Sequence, residues 1–491
     1  MNRFRITFIA LLCLVFTAAA FGQSVNATTG GITGRVADSS GGALPGVTIT
    51  ATNLNTGLNR STVTEPDGTY VLSLLQPGNY RIDAELAGLG KASLPRVIVL
   101  LGTNTKSNVI LNPSVSESVT VTATAPVVDP TQSGQTTSVT EKQIENLPIL
   151  SRDFRSLATL TPGVSEAFGG RVQANGGRGI TTDYNIDGAN SNSEFFGEQT
   201  GGTRAPFTFS QAAIKEFQVI RSNYNAEYGR GVGATMNAIT KSGTNDVDGE
   251  VFTFLRKKSW ASTRSTTING LPATESFRAK DSLQPGFAIG GPIVRDHFFY
   301  FVNADAQRQK LPIIATDFTS RTGVGQFQAL PADVQQAFFA RFQAITGHPY
   351  SDELNYDQTF DQNTYLVKFD ANLGSKTHAS IRDNYSDFHN QFNQTGFQLA
   401  SNQGDEHDKF NQLVGQAESV FTNTLFNQII LQYEKQERPI DPLASGYPEV
   451  SVTQGGGTGV FGNLNFLGNN TTEKKVQLKD SLTYMVGTHT L

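Results

Sequence analysis

From Val247 to the end of the chain, apolar and polar residues alternate with a period of two. The clearest segments are HFFYFVNADAQRQ (residues 297–309), NTYLVKFDANLG (363–374) and EKKVQLKDSLTYMVG (473–487). Successive side chains of a β-strand point to opposite faces of the sheet, so each segment predicts a strand with one apolar and one polar face. A soluble sandwich would also alternate. Here the polar parity is rich in Lys, Asp and Gln and the apolar parity carries Tyr or Phe near its ends, which favours a membrane β-barrel.

In such a barrel the apolar parity faces lipid and the polar parity faces the lumen. This interpretation places Tyr365 and Phe369 on the lipid face, and Lys368 and Asp370 on the lumen face. It also requires short turns at one end of the strands and longer loops at the other.

Residues 1–22 are predicted to be a secretory signal peptide. Arg3 and Arg5 supply the positive charge, Ile6 to Phe16 form the apolar stretch, and AAAFGQ supplies small residues for cleavage. An uncleaved anchor is the alternative, but this run is shorter than the ~20 residues that span a membrane. No later apolar run approaches about 18 residues, so a membrane-spanning role would require a β-barrel.

Composition supports a chain of many strands and turns. Hydrophobic residues make up 38% and charged residues 16% of the 491 residues, whereas 48 residues are Gly. These hydrophobic and charged fractions lie below the usual ~45–50% and ~25%. The net charge of −5 gives no nucleic-acid footprint. The single cysteine, Cys13, lies within the predicted signal peptide, so the mature chain is expected to have no disulfide.

Residues 30–112 contain short strands with a period of two, separated by strong turn signals, which predicts a two-sheet β-sandwich. The pattern G-x-V-x-D…L-P-G-V-x-I…D-G-x-Y…L-x-P-G-x-Y resembles the carboxypeptidase regulatory-like domain, a prealbumin-type sandwich of the carbohydrate-binding-like class. Most of the matching residues are turn and core positions, and we interpret them as structural. They are Gly34, Val36, Asp38, Leu44, Pro45, Gly46, Val47, Ile49, Asp67, Gly68, Tyr70, Leu75, Pro77, Gly78 and Tyr80.

Residues 131–246 form a second region of mixed signals. EKQIENLPILSRDFRSLATLTPGV predicts helices interrupted by Pro148 and Pro162, and IKEFQVIRSNYNAEYGRGVGATMNAITKSGTN predicts two strands around a Gly-rich bend. The string I-K-E-F-Q-V…A-E-Y-G-R…N-x-I-T-K-S-G-T-N resembles the plug domain of TonB-dependent outer-membrane receptors. A dinucleotide-binding loop at GRGVG is disfavoured because the GxGxxG spacing is absent.

The segment GGPIVRDHFFYF (290–301) resembles a recurrent barrel motif of the Oar-like branch of these receptors. Barrels of this family have about 22 strands, whereas residues 247–491 account for roughly seven or eight. The sequence is therefore expected to be a fragment with an incomplete outer-membrane β-barrel. The expected fold class is mostly β: a sandwich, a small α+β plug domain, and part of a transmembrane antiparallel barrel.

Long polar segments are expected to form the loops of this barrel, at residues 310–362, 386–409 and 436–472. Within the first of them, residues 326–347 have helical spacing behind Pro331 and predict an inserted surface helix.

Residues 113–130 form a linker that contains the strand-like segment SESVTVTA. Its β-branched residues favour an extended conformation, and Pro126 and Pro130 keep it from joining neighbouring strands. In the receptors that the chain resembles, such a segment is the TonB box, to which an energy-coupling partner binds by strand addition. A plain linker strand or a last strand of the sandwich are the alternatives. The TonB-box candidates are Glu117, Ser118, Val119, Thr120, Val121, Thr122 and Ala123.

The resemblance implies a transporter or receptor in the outer membrane of a Gram-negative-type bacterium. Its expected partners are a TonB-type energy-coupling complex, outer-membrane lipid, and an unidentified small substrate or glycan. The substrate class stays open between a glycan, a peptide and a metal chelate. Asp187 in NIDGAN is predicted to support a turn of the plug, and Asp187 and Asn190 are speculative substrate contacts.

No catalytic constellation is found, so we expect no enzyme and no cofactor. None of the six histidines belongs to an HExxH motif, and no G-x-S-x-G, phosphate loop or CxxC motif occurs. Residues 405–408 (DEHD) could bind a metal, but a solvated loop is the preferred interpretation. Asp352, Asn355, Asp357 and Asp361 lack the EF-hand spacing for calcium.

Two other functions stay open at this point. The chain could be an outer-membrane adhesin or glycan-binding surface protein that transports nothing, or a secreted hydrolase. The missing catalytic residues argue against the hydrolase, and the TonB-box candidates separate the transporter from the adhesin.

Overall fold

The computed structural model describes most of the chain from residue 26 to residue 490. The described ranges are 26–111, 135–149, 152–167, 171–197, 199–200, 205–224, 227–229, 231–260, 263–268, 271–276, 281–314, 331–392, 399–443, 448–454, 457–463, 470–486 and 489–490. The predicted signal peptide (1–22) and the linker with its TonB-box candidates (113–130) lie outside these ranges. Among the described helices, none is long and apolar enough to cross a membrane.

The first unit is a β-sandwich of two four-stranded sheets. One sheet has the order β4–β1–β7, with β8 also paired to β1, and the other has the order β3–β2–β5–β6. The strands are β1 Gly30–Ala37, β2 Thr48–Asn53, β3 Asn59–Val63, β4 Thr69–Leu75, β5 Gly78–Leu86, β6 Gly90–Val99, β7 Asn104–Lys106 and β8 Val109–Ile110.

The motif residues of the sandwich have structural roles. The Asp38 carboxylate accepts hydrogen bonds from the backbone N–H groups of Ser40 and Gly42, and so closes a turn. Tyr70 is buried in the core between the sheets, where its hydroxyl donates to the Ser107 carbonyl over 2.6 Å. Burial of such a ring is favourable only when the hydroxyl finds a partner. These contacts agree with turn and core roles for the motif.

The second unit, residues 135–246, is built on a five-stranded mixed sheet with the order β13–β12–β15–β14–β9, and we call it the plug. Strands β12 and β15 are parallel, and the other neighbours are antiparallel. The elements are β9 Thr136–Val139, α1 Glu141–Asn146, a 3₁₀ helix Phe154–Leu160, β10 Val164–Ala167, β11 Arg171–Ala174, a 3₁₀ helix Gly179–Thr181, β12 Thr182–Ile186, β13 Ala189–Asn190, a 3₁₀ helix Gln211–Ala213, β14 Ile214–Ile220 and β15 Ala234–Thr240.

The predicted helices and strands of the plug are confirmed. Helix α1 begins after a capping box formed by Thr140 and Gln143, which satisfies free N–H groups of its first turn. It ends before Pro148, as the sequence predicts. Gly243 marks the exit from the plug, because a Cβ there would lie 2.3 Å from the Tyr300 carbonyl oxygen. Only glycine lets the backbone pass this close to the next unit.

The third unit is a curved antiparallel sheet of ten strands, which we call the wall. Its order is β16–β19–β20–β21–β22–β23–β24–β28–β29, with β25 also paired to β23. The wall strands are β16 Asp248–Arg256, β19 Asp281–Val294, β20 Phe298–Ile314, β21 Asn355–Leu373, β22 Thr377–Phe392, β23 Gly404–Thr422, β24 Leu425–Arg438, β25 Ile440–Pro442, β28 Thr471–Val486 and β29 His489–Thr490.

Smaller elements lie beyond one end of the wall strands. The predicted surface helix is confirmed and packs through Phe342 in a small aromatic cluster with Tyr350 and Phe461. The elements are a 3₁₀ helix Lys258–Trp260, the hairpin β17 Thr263–Ile268 and β18 Leu271–Ser276, helix α2 Ala332–Thr346, a 3₁₀ helix Tyr350–Glu353, and the hairpin β26 Val450–Gln454 and β27 Gly457–Phe461.

The two faces of the wall differ as the alternation predicts. Tyr365 and Phe369 point outward with 48% and 46% of their surface exposed, whereas Lys368 and Asp370 are buried on the inner face. The inner face packs on the plug, since Phe301, Leu366 and Phe410 share one apolar cluster with plug residues. The outward parity is an apolar band, and the inward parity is a polar lining. The predicted mostly-β fold class is confirmed.

The predicted loops are too long. Strand β20 continues to Ile314, and β21 already begins at Asn355. Strand β22 continues to Phe392, and β23 already begins at Gly404. Polar residues made these segments look like loops, but their backbones stay paired beyond the apolar band. Residues 405–408 therefore lie in strand β23 and not in a solvated loop.

The sandwich sits at the end of the wall where the strands are joined by short turns. Turns at residues 295–297, 374–376 and 423–424 lie at this end. Arg60 of the sandwich donates to the Ser375 carbonyl, and the Asn245 N–H donates to the Asn55 carbonyl over 2.8 Å. Short turns mark the periplasmic end of known outer-membrane barrels.

A charge placed in the apolar band tests this orientation. Ile381 points outward with 49% of its surface exposed, between Phe369 and Gly415 on the neighbouring strands. We expect Ile381→Arg to destabilise the folded wall by about 2–4 kcal/mol, measured by urea unfolding in lipid vesicles. Gln391→Arg, on the same strand beyond the band, is the matched control and should cost about 0–1 kcal/mol. Equal effects of the two variants would contradict the assignment of the band.

Candidate functional site: the contact between plug and wall

The tip of the β12–β13 hairpin brings Asp187 to the wall. Ile186 pairs with Ala189, so that Asp187 and Gly188 form a two-residue turn, with φ angles of 51° and 72°. Positive φ at both positions is typical of a type I′ turn and favours an Asp-Gly sequence. The prediction that Asp187 supports a turn of the plug is confirmed.

The Asp187 carboxylate is the most strongly paired group at this contact. It is 3% exposed and accepts hydrogen bonds from the Thr240 N–H and the Thr240 hydroxyl, both 2.9 Å long. Two cations of the wall approach it: Arg382 Nε lies 2.6 Å from Oδ2, and Lys368 Nζ lies 3.8 Å from Oδ1. The turn of the plug is thus tied by charge to two adjacent wall strands.

Burial alone would raise the pKa of Asp187. The charges of Lys368 and Arg382, together with the hydrogen bonds from Thr240, outweigh this effect and lower the pKa below its usual range. Asp187 therefore stays ionised in the folded protein, and its contribution to the contact is lost only as the pH falls through this lowered pKa.

Asn190 lies at the same contact, three residues after Asp187 in the β12–β13 hairpin. Its N–H donates to Gln477 Oε1 over 3.1 Å, and its carbonyl accepts from Gln432 Nε2 over 2.8 Å. Its side-chain amide donates to Asp183 Oδ1 over 3.0 Å within the plug. The structure thus brings Asp187 and Asn190, the two speculative substrate contacts, close together, and each contacts residues of the wall.

A second charged group of the wall faces the plug further along β24. Glu434 lies 2.8 Å from Lys475 Nζ, and it accepts hydrogen bonds from Thr200 of the plug and Gln412 of the wall over 2.9 and 2.7 Å. Hydrogen bonds to a charged group such as the Glu434 carboxylate net about 1.5–3 kcal/mol each, whereas neutral ones such as those of Asn190 net only about 0.5–1.5 kcal/mol. A contact made this way can be exchanged for water more readily than an apolar one.

The sandwich joins the same contact from the short-turn end of the wall. Thr28, just before β1, donates to Glu418 of the wall over 2.5 Å and accepts from Gln428 over 2.6 Å. A cavity of about 70 Å³ lies where sandwich, plug and wall meet, lined in part by Gln76, Asp187 and His378. The described structure thus places all three units around the turn at Asp187.

The sandwich also binds the plug directly. The Leu101 N–H donates to Glu216 Oε1 over 2.6 Å, and Lys215 Nζ donates to the Pro77 carbonyl over 2.5 Å. Burial of Glu216 raises its pKa to about 7, although Lys215 and the Leu101 N–H act in the opposite direction. This interface therefore contains a carboxyl group that titrates near neutral pH.

Sequence reasoning missed the partners at this site. The sequence pattern places Lys368 on the lumen face, but nothing near Lys368 or Arg382 in the sequence indicates that they meet Asp187, almost 200 residues away. Glu216 follows Lys215 within a strand and looks like an ordinary exposed pair. The only signal in the sequence that Glu216 is buried is its position inside the largely apolar strand IKEFQVI.

Comparisons with known proteins agree with this architecture. The carboxypeptidase regulatory-like domain matches residues 31–112, and an outer membrane beta barrel domain matches residues 239–355. The TonB-dependent transporter Oar of Myxococcus xanthus is 26% identical over 379 residues, which cover 73% of this chain and 34% of that protein. The chain therefore spans about a third of the length of this curated relative.

Two solved structures are similar to part of the chain at low identity. The outer membrane transporter YddB from Escherichia coli is 12% identical with a TM-score of 0.49, covering 72% of this chain and 45% of that one. The siderophore receptor PirA from Acinetobacter baumannii is 16% identical with a TM-score of 0.43, covering 71% and 44%.

The ion pairs of Asp187 are testable by substitution. Asp187→Asn leaves Arg382 buried with less compensation, and breaking a buried pair typically costs about 3–5 kcal/mol. We expect the plug to become susceptible to protease in protein extracted from outer membranes, while the wall stays folded. Asp333→Asn, an exposed aspartate on α2, is the matched control. Identical cleavage of both variants and the parent would show that Asp187 does not hold the plug.

The raised pKa of Glu216 predicts a pH effect on sandwich docking. Below its ordinary value of 4.5, the carboxyl is protonated whether the sandwich is docked or released. Between 4.5 and about 7 only the released form loses the proton, so docking should weaken by roughly 3 kcal/mol as the pH rises and stay weak above 7.

Glu216→Gln should remove this dependence, whereas Glu65→Gln, at an exposed turn, should keep it. The measurement is the midpoint of the first calorimetric transition between pH 4.5 and 8. A parent protein whose midpoint is flat across this range would refute the assignment.

Proposed function

We propose that this chain, a homologue of the transporter Oar, is a TonB-dependent outer-membrane receptor that imports a substrate using energy from a TonB-type complex. The homologues are transporters or receptors and not enzymes. The barrel domain and this homology place the chain in the outer membrane. Uptake itself, the substrate and the coupling partner are our proposals.

The observation that carries the proposal is a plug held against a polar wall by exchangeable contacts. An apolar outer face and a polar lining are what a barrel with an aqueous path needs. The plug occupies that path, so the path is closed at rest. Polar contacts such as those of Asn190 can be replaced by water when the plug moves, at modest net cost.

The Asp187 ion pairs would then be the strongest single obstacle to opening. They join the plug to β21 and β22 through Lys368 and Arg382, and neither cation can be left buried alone without a large penalty. Opening by a pull from the periplasm is a local-unfolding event, which should begin where such contacts are fewest. Substrate contact by Asp187 or Asn190 would follow only after these wall contacts separate.

The pull would act on the TonB-box candidates, residues 117–123, in the linker between sandwich and plug. Added strands bind mainly through backbone hydrogen bonds, so the segment needs extension more than particular side chains. Its position next to the plug lets a pull on the linker reach β9, the edge strand of the plug sheet. The substrate is a glycan, a peptide or a metal chelate.

An adhesin that binds at the cell surface without transport is the second candidate. The sandwich and the elements beyond the wall could bind a glycan in either case. The sandwich, however, lies at the short-turn end, away from the outer surface, which favours transport.

Proline substitutions in the linker test the proposal. Val119→Pro and Val121→Pro remove backbone donors and should abolish uptake while leaving insertion into the outer membrane intact. Val127→Pro and Val128→Pro place the same change outside the candidate segment and should leave uptake near the parent level. The substrate for this assay comes from growth of a deletion strain on defined carbon and iron sources. Normal uptake by the Val119 and Val121 variants would support the adhesin.

A further inference from the structure

Two histidines and an aspartate converge on the outer face of the wall. His389 on β22 lies directly opposite His407 on β23, and Asp405 lies two residues before His407 on the same face. The imidazole rings stack with centroids 4.3 Å apart and an interplanar angle of 15°. Both Nε2 atoms approach the Asp405 carboxylate: His389 contacts Oδ1, and His407 lies 3.4 Å from Oδ2.

The register of the sheet holds these residues together. Strands β22 and β23 are paired without interruption from Thr377 opposite Ser419 to Phe392 opposite Gly404. A slip by one residue would move one histidine to the inner face, together with every apolar residue of its strand. The apolar band and the polar lining therefore oppose such a slip and keep the two imidazoles side by side.

The three residues lie beyond the apolar band, where water and ions can reach them. Tyr365 and Tyr385 stack on the outer face, with centroids 6.5 Å apart, at the edge of this band. His389 is four residues further along β22 than Tyr385, roughly 13 Å towards the end with the longer connections. The outward residues in between, Asp387 and Lys409, are charged and directly paired.

We propose that His389, Asp405 and His407 bind a divalent transition metal of the zinc class on the outer surface of the barrel. Two imidazoles and one carboxylate suit Zn²⁺, Cu²⁺ or Ni²⁺, whereas Ca²⁺ and Mg²⁺ prefer oxygen ligands alone. The three donor atoms already lie within 4.8 Å of one another. A tetrahedral zinc site needs about 3.4 Å between ligand atoms, which small side-chain rotations supply.

The surrounding charges favour a cation at this place. Asp441 on β25 lies opposite Asp405 and is exposed, so its carboxylate can supply a fourth ligand on the same face. Asp361 lies opposite His389 on β21, and its carboxylate is 4.0 Å from Arg308 Nε. The bound metal would clip β22 to β23 at their outer ends, where strands are most prone to fray.

Metal titration of the intact protein tests the proposal. The protein is extracted from outer membranes in detergent, stripped with EDTA and titrated with Zn²⁺ against a chromophoric chelator. One equivalent should bind, and Co²⁺ should give the intense visible absorption of a tetrahedral site. His389→Asn and His407→Asn should each lower the Zn²⁺ affinity at least about 100-fold, more than the loss of an outer-shell partner causes.

His297→Asn, an exposed histidine in the turn at the opposite end of the wall, is the matched control and should bind Zn²⁺ like the parent. Heat-modifiable migration in electrophoresis shows whether each variant is folded. If one histidine variant is not folded, Asp405→Asn removes another of the three proposed ligands in its place. Absence of saturable Zn²⁺ binding by the parent, or unchanged affinity in the folded ligand variants, would overturn the proposal. Uptake plays no part in this measurement, so its outcome is independent of the transport proposal.

Discussion

The polar groups buried on the inner face of the wall are costly to leave without polar partners, and this constraint shapes the contact between wall and plug. The outward parity of the wall strands can face lipid, but Lys368, Arg382 and Glu434 cannot be buried against an apolar filling without a large desolvation cost. The plug meets this demand with its own polar groups, including Asp187 and Thr200. The polar groups on the plug surface thus complement the polar inner face of the wall.

The same constraint makes part of the plug–wall contact exchangeable with water. A plug packed only through apolar surface would resist displacement over its whole area. Here an apolar cluster around Phe209 and Phe410 coexists with hydrogen bonds and ion pairs that water can replace. The Asp187 pairs are the exception, since each partner is costly to leave alone. A contact of this kind is firm at a few points and exchangeable elsewhere, which fits the gated path proposed above.

The sandwich contacts both other units at the short-turn end of the wall. It contacts the wall through Thr28 and Arg60 and the plug through Leu101 and Pro77. Any pull on the linker that follows the sandwich would act on a plug already bound to that sandwich. The titration of Glu216 near neutral pH ties the strength of this docking to the acidity of the surroundings.

The sequence by itself determined the class of the fold and the facing of the wall strands that alternate most clearly. Alternation is a local property, so it places Tyr365 outward and Lys368 inward without knowledge of any partner. Turn chemistry is equally local, which is why the turn at Asp187-Gly188 was predictable.

Only the tertiary structure decided which inward charges meet, because register across strands and the seating of the plug bring together residues such as Asp187 and Arg382 that are remote in sequence. The same holds for the extent of the strands: polar ends of β22 and β23 look like loops until pairing satisfies their backbones. His389 and His407, 18 positions apart in the chain, become neighbours by that pairing alone.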